Sequence, residues 1–363
     1  MNNKIKDIFR KKNNPVYLIA EMAWSHDGLF ENAKKIIKAA AKAEADAISI
    51  HITDVPSYMV KDYAKKTEKV SFAWQTLENQ EEKLSIYDYL QKLNLKDSDW
   101  KEIFSLAREL GLEICAMPND YKSLELCRKL KPDAYVIGAA CFLDEEFAKE
   151  IAKEKKPVIL RIGGATLEEI GKITAAIKKE RNKEIILLHG IQLYPTEIGD
   201  MNLNLIPSLS KKFGLPVGLA DHIDGSSDLA YILPLLSLPL KGKVIEKHLT
   251  YDRNKKGEDY ESAFDPEGFK KFVGYVKKAE RSLGSSFFPK KPSKAEIKYR
   301  EISRKRAVAA TRIEKGEKIT KKKIVFKRAT EGVYLDKINQ IIGKRAVCEI
   351  EEDNPILLKN IKK

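Results

Sequence analysis

Only five histidines occur in this 363-residue chain: His26, His51, His189, His222 and His248. Each stands at or just past the end of a short β-branched run, and none falls in a helical stretch. Carboxylates share these positions: Glu21, Asp120, Asp221 and Glu246. Glu246 and His248 are two residues apart on one run, so their side chains leave the same face of a strand. Imidazoles with carboxylates nearby suit a mid-row divalent metal that keeps open positions for a substrate. A lone histidine is as readily a hydrogen-bonded core residue. Five at equivalent positions point to one shared site.

The runs that carry these residues predict strands at 16–23, 47–52, 113–118, 134–139, 157–163, 185–190, 216–222 and 243–250. They are almost continuously apolar, as parallel strands buried on both faces must be. Stretches such as ENAKKIIKAAAKAEA and TLEEIGKITAAIKKE lie between them and repeat apolar residues at three- and four-residue spacing, the period of an amphipathic helix. Eight strand–helix units in about 270 residues is the count of a closed (β/α)8 barrel, whose strand C-termini converge on one mouth. A doubly wound open sheet is the second choice, but the first strand lacks the GxGxxG turn. The stretch 54–97 is too long for a plain βα loop and predicts a segment covering the substrate. The barrel domain is assigned to 1–283, a linker to 284–303 and a small module of short strands to 304–363, too small to be the main catalytic domain and suited to a lid.

Composition narrows the function classes. The formal charge of +14 comes from 67 basic and 53 acidic residues, yet the lysines alternate with glutamates and form no Arg-rich block or aromatic-basic stripe. This is a solvated surface, and no nucleic-acid partner is expected. The four cysteines form no CxxC pair, which argues against a zinc cage or disulfide framework. No apolar run reaches about 18 residues, so no membrane span is expected. The brief apolar stretch near the start reads as a strand rather than a signal peptide. A cytosolic enzyme is the expectation.

Four motifs, AEMAWSHDG (20–28), LLHGIQLYP (187–195), GLADHIDG (218–225) and VIEKHLTYDR (244–253), together resemble the sialic acid synthase family. The tail, with IEKGEKIT and FKRATEG, resembles its SAF or antifreeze-like domain. The resemblance covers about 16–361, nearly the whole chain. It implies condensation of phosphoenolpyruvate with an amino sugar or related aldose, giving a 2-keto-3-deoxy sugar acid. By it, His222 and His248 bind a divalent metal, usually manganese, with magnesium, cobalt, iron(II) and zinc as alternatives. It further implies that Glu21 and Asp259 contact the sugar, that Tyr194 lies near the substrates, and that Arg328 reaches a partner's mouth in a domain-crossing homodimer.

The chain departs from the family where phosphoenolpyruvate is usually held. The usual KFQ reads Ser49-Ile50-His51, and a second lysine position is Val136. Ala139, Cys141 and Ala220 replace two serines and a glutamate, Arg161, Ile162 and Gly163 replace an STG, and Gln192 replaces an asparagine. Each lost charged hydrogen bond removes about 1.5–3 kcal/mol of attraction. Arg161 is the new fixed cation at a strand end, with His51 as a second donor, and these two are expected to hold any anionic co-substrate. His51 or His189 is the expected additional metal ligand. The alternatives are an aldolase, lyase or isomerase using another co-substrate on the same scaffold, and a non-catalytic sugar-binding homologue.

Overall fold

Alternation along the first strand shows how the molecule is layered. In β1 (Tyr17–Ala23), Leu18, Ala20 and Met22 join the layer under the surrounding helices, whereas Tyr17 and Ile19 face the lumen and Glu21 continues their row. The same period of two runs through β2 (Ala47–Ile52), β3 (Glu113–Pro118), β4 (Ala134–Ile137), β5 (Val158–Arg161), β6 (Ile185–His189), β7 (Val217–Asp221) and β8 (Val244–His248). All eight pair in parallel, each with its sequence neighbour, and β1 pairs with β8 to close the barrel. The computed structural model describes residues 3–11, 14–63, 85–284 and 292–362.

The lumen is apolar at its base and polar at its top. Ala47 is followed inward by Ser49 and His51, Ile159 by Arg161, and Val244 by Glu246 and His248. The base is closed by the helix Lys4–Arg10, whose Ile5 and Ile8 join the luminal cluster. Glu113 anchors that helix, because its carboxylate accepts from the amides of Lys4 (2.5 Å) and Ile5 (3.0 Å) and from the Tyr17 hydroxyl (2.6 Å). It thereby satisfies amides that a helix start leaves unpaired. Ile5 is fully buried, so Ile5→Ala is expected to cost about 2–4 kcal/mol through lost burial and the cavity left behind. A fall in the urea midpoint with an unchanged slope checks this.

The helices start where side chains cap them. Thr166 and Glu169 exchange hydrogen bonds at the start of Leu167–Lys179, and Asp265 caps Pro266–Leu283. Two carboxylates expected at the rim have structural roles instead. Asp120 caps Tyr121–Leu130, and its carboxylate also accepts from the Asp54 amide (2.8 Å) and the Ser123 hydroxyl (2.6 Å). Asp221 points out of the barrel and pairs with fully buried Lys247 at 2.5 Å. Both face away from the lumen because each is one residue out of step with the inward row.

The chain forms two compact units, 1–284 and 285–363. The stretch assigned as linker contains a helix, Lys294–Ser303, started by a Ser293–Glu296 capping box. In the second unit β9 (Lys305–Ala309) pairs antiparallel with β10 (Ile324–Arg328) around Ala307, Ile313, Ile319, Ile341 and Ile350. Beyond β10 the unit has single bridges at Arg345, Ala346, Ile350, Pro355 and Ile361 and a 3-10 turn, Leu358–Asn360. Of the expected covering segment 54–97, residues 64–84 lie outside those described. The flanking helices Val55–Tyr58 and Ile86–Leu93 are present.

Candidate active site

A β-bulge aims the first of the site's acids. The β1–β2 register shifts between Glu21 and Ala23, so the Ala23 amide donates to Glu21 Oε1 at 2.6 Å. Glu21 is fully buried, and the Arg161 guanidinium meets its other oxygen from the far side of the lumen. Arg161 Nη2 also lies 2.9 Å from Glu246 Oε1, and Nη1 lies 3.4 Å from His51 Nε2. The guanidinium therefore spans the barrel from β5 to β1 and β8. Arg161, expected to be free for a ligand, is shared by two internal carboxylates.

His222 and His248 form the second group. Their ring centroids are 5.2 Å apart, and the Tyr194 ring packs on both at 4.4 and 5.6 Å. His222 Nδ1 donates to the Ile191 carbonyl at 2.7 Å, which leaves Nε2 bare and fixes the tautomer. The backbone behind it is held by Thr196 and by the Ser262 hydroxyl, both donating to the His222 carbonyl. Nε2 of His222 and both ring nitrogens of His248 are buried without a partner. Burial holds His222 near a pKa of about 3, and burial with the neighbouring His222 ring holds His248 well below the usual range. Two neutral imidazoles with bare nitrogens can hold a mid-row divalent ion. Among the described residues, no set of three or more His, Cys, Asp and Glu groups is arranged for an ion. An ion held here would have two protein ligands and keep its other positions open.

A pH dependence follows. Metal must displace a proton only where the imidazole carries one. With folded pKa values far below 6.5, neither ring is protonated at pH 5.5. Manganese affinity is expected to change less than about threefold between pH 7.5 and 5.5, where an unperturbed pair would weaken roughly a hundredfold. Calorimetric titration at the two pH values measures it.

Asp259 enters from the loop after β8, with Oδ2 3.7 Å from His248 Nδ1. Burial raises its carboxyl, and burial together with Asp259 raises adjacent Glu258, whose carboxylate accepts from Tyr89 at 3.1 Å. The Tyr194 hydroxyl donates to Gln192 Oε1 at 3.0 Å, and the Tyr194–Pro195 bond that follows is cis. A side chain at Gly163 would come within 2.3 Å of the Gly190 carbonyl and 2.9 Å of Gln192, so only glycine lets these loops approach.

Two of the five histidines stay out of the site. His189 Nε2 donates to the Met201 carbonyl at 2.9 Å, and His26 packs edge-on against Trp100 and accepts from the Gly28 amide. Neither His189 nor His51 joins the His222–His248 pair as a third ligand, since His51 belongs to the Arg161 group. Arg328 is exposed at the end of β10 in the second unit. Beside Arg161 opens a cavity of about 210 Å³, walled by Trp24, Tyr58, Met117, Asn119, Ala139 and Gln192 among others. Met117 and Asn119 were missed as site residues, although Met117 was within reach as the inward neighbour of Cys115 two positions on.

The chain matches the NeuB family over residues 36–287 and a SAF domain over 304–362. It is 33% identical over 341 residues to a pseudaminic acid synthase of Campylobacter jejuni, covering 93% of this chain and 94% of that protein. It is 30% identical over 342 residues to an N,N'-diacetyllegionaminic acid synthase of the same species, covering 93% and 98%. The crystal structure of an N-acetylneuraminic acid synthetase from Leptospira borgpetersenii superposes with a TM-score of 0.65 at 24% identity, over 79% of this chain and 92% of that one, which supports the fold. A closed barrel carrying this mouth, followed by a SAF domain and matched along most of its length, makes the chain a member of the NeuB family.

Proposed function

We propose that this protein is a carbon–carbon bond-forming synthase that extends an open-chain amino sugar or related aldose by a three-carbon acid unit, giving a 2-keto-3-deoxy sugar acid. The observation that carries the reading is the pairing of His222 and His248, bare nitrogens facing one mouth, with Glu21 and Asp259 at its rim. A divalent ion, manganese first, held by the two imidazoles would polarise the sugar aldehyde. Glu21 and Asp259 hold sugar hydroxyls, and the Tyr194 ring keeps both imidazoles oriented. The barrel walls align the donor carbon with the aldehyde, a proximity effect.

The donor is phosphoenolpyruvate in the reading by resemblance. A co-substrate without phosphate is the second reading, favoured by the pairing of Arg161 with Glu21 and Glu246. The working form is a homodimer in which residues 304–363 of one chain cover the partner's mouth and Arg328 meets the sugar. Light scattering is expected to give twice the chain mass. Incubation of manganese-loaded protein with a panel of amino sugars and three-carbon donors, read by product mass, tests the reaction. A product equal to the aldose plus a pyruvyl unit supports it, and no product from any combination refutes it.

A further inference from the structure

Directly behind His222 and His248, on the outer face of the barrel, lies a charge pair that the site chemistry leaves unused. Outward positions on β7 and β8 are otherwise apolar, with Val217, Leu219 and Ile245 packed under the helices. Asp221 and Lys247 continue those two rows, at 1% and 0% exposure. They are register partners across the β7–β8 ladder, and each immediately precedes one histidine of the pair. Two charges taken out of water give little net stability, and apolar residues of similar volume often do as well or better. Stability alone therefore does not account for a lysine and an aspartate in this layer.

The contacts of Lys247 show what the pair adds. Its ammonium donates to Asp221 Oδ2 at 2.5 Å and to the Ile223 carbonyl at 3.1 Å. Lys247 thus grips the chain on both sides of His222 while standing next to His248 in sequence. β7 ends at Asp221, so His222 and Ile223 lie past the strand. The same ammonium lies 4.8 Å from the centre of the Phe264 ring, a cation–π contact. Phe264 donates its amide to the His248 carbonyl at 3.0 Å, and Ser262 donates its hydroxyl to the His222 carbonyl at 2.7 Å. One segment, 262–264, therefore holds the carbonyls of both histidines, and Lys247 ties it to the end of β7.

We propose that Lys247 is a positioning residue for the metal: with Asp221 and Ser262 it forms a latch outside the lumen that sets the spacing and direction of the His222 and His248 rings. The inference rests on the reading of these imidazoles as metal ligands. The two rings come from different strands, so the gap between their donor nitrogens depends on how the ends of β7 and β8 sit against each other. Neither histidine controls that gap by itself. An ion pair away from water does, because its attraction is strong there and repays desolvation only in good geometry. Outer contacts that orient metal ligands typically carry roughly 10- to 100-fold in metal affinity.

The test compares the full-length parent protein with the double variant Asp221→Leu, Lys247→Met, which replaces both charges by apolar side chains and leaves the net charge unchanged. Manganese affinity is read by calorimetric titration and stability by urea denaturation. The urea midpoint is expected to stay at or above the parent value, while the manganese dissociation constant rises by about tenfold or more. A pair that serves the fold alone would lower the midpoint and leave the affinity of the folded protein unchanged. Ser262→Ala removes one hydroxyl from the latch and is expected to weaken manganese about threefold, a smaller loss than that of the ion pair. Unchanged affinity in the folded double variant overturns the assignment, and if that variant does not fold, unchanged affinity in Ser262→Ala overturns it. A parent protein that takes up no manganese removes the metal reading itself, and the positioning role with it.

Discussion

Changing His222 and His248 together to alanine is expected to empty the protein of divalent metal. Protein purified without chelator should carry close to one ion per chain, and the double variant less than about a tenth of that. The imidazoles are the two bare, neutral nitrogen donors at the mouth, and nothing else among the described residues completes a ligand set. Removing both leaves the ion with water and substrate and without the two protein donors that fix it at the mouth. Product formation should fall with occupancy, by at least about 10³-fold, roughly 4 kcal/mol of lost transition-state stabilisation. The single variant His222→Gln keeps a polar side chain of similar length against Ile191 and isolates ligand loss from lost packing. Unchanged metal content in the double variant, measured by elemental analysis, would refute the assignment.

Arg161→Met is expected to destabilise the fold by about 3–5 kcal/mol, the usual consequence of removing one partner of a buried ion pair. Glu21 and Glu246 would then face each other's charge across the lumen without a cation between them. The effect lies in the unpaired acids and not in the size of the side chain. Adding Glu21→Gln and Glu246→Gln to Arg161→Met should therefore recover most of the loss, because neutral amides carry no uncompensated charge. Urea denaturation of the single and triple variants decides this. Equal stability of Arg161→Met and the parent protein would show that the ion pair is not formed in solution.

The barrel was legible because its signals are local. Each strand announces itself by a run of branched apolar residues, and the eight observed strands fall within or at the bounds of the eight predicted stretches. The alternation within a strand also told that Glu246 and His248 share a face. Composition likewise exposed the histidine clustering, since residues at the ends of parallel strands meet whatever the details of packing. The family motifs carried the barrel–SAF order.

What local pattern could not tell is which partner each polar group meets. Asp120 and Asp221 sit at strand ends like Glu21, but a cap and an ion pair with Lys247 use them outside the lumen. His189 shares a strand end with the site and spends its ring on the Met201 carbonyl. Arg161 reads in sequence as a free cation, yet barrel closure sets β5 across from β1 and β8 and delivers it to Glu21 and Glu246. Period-two alternation assigns a side chain to a face by itself. Contacts across the lumen depend on how eight strands close and stagger, a long-range outcome decided only when the barrel forms.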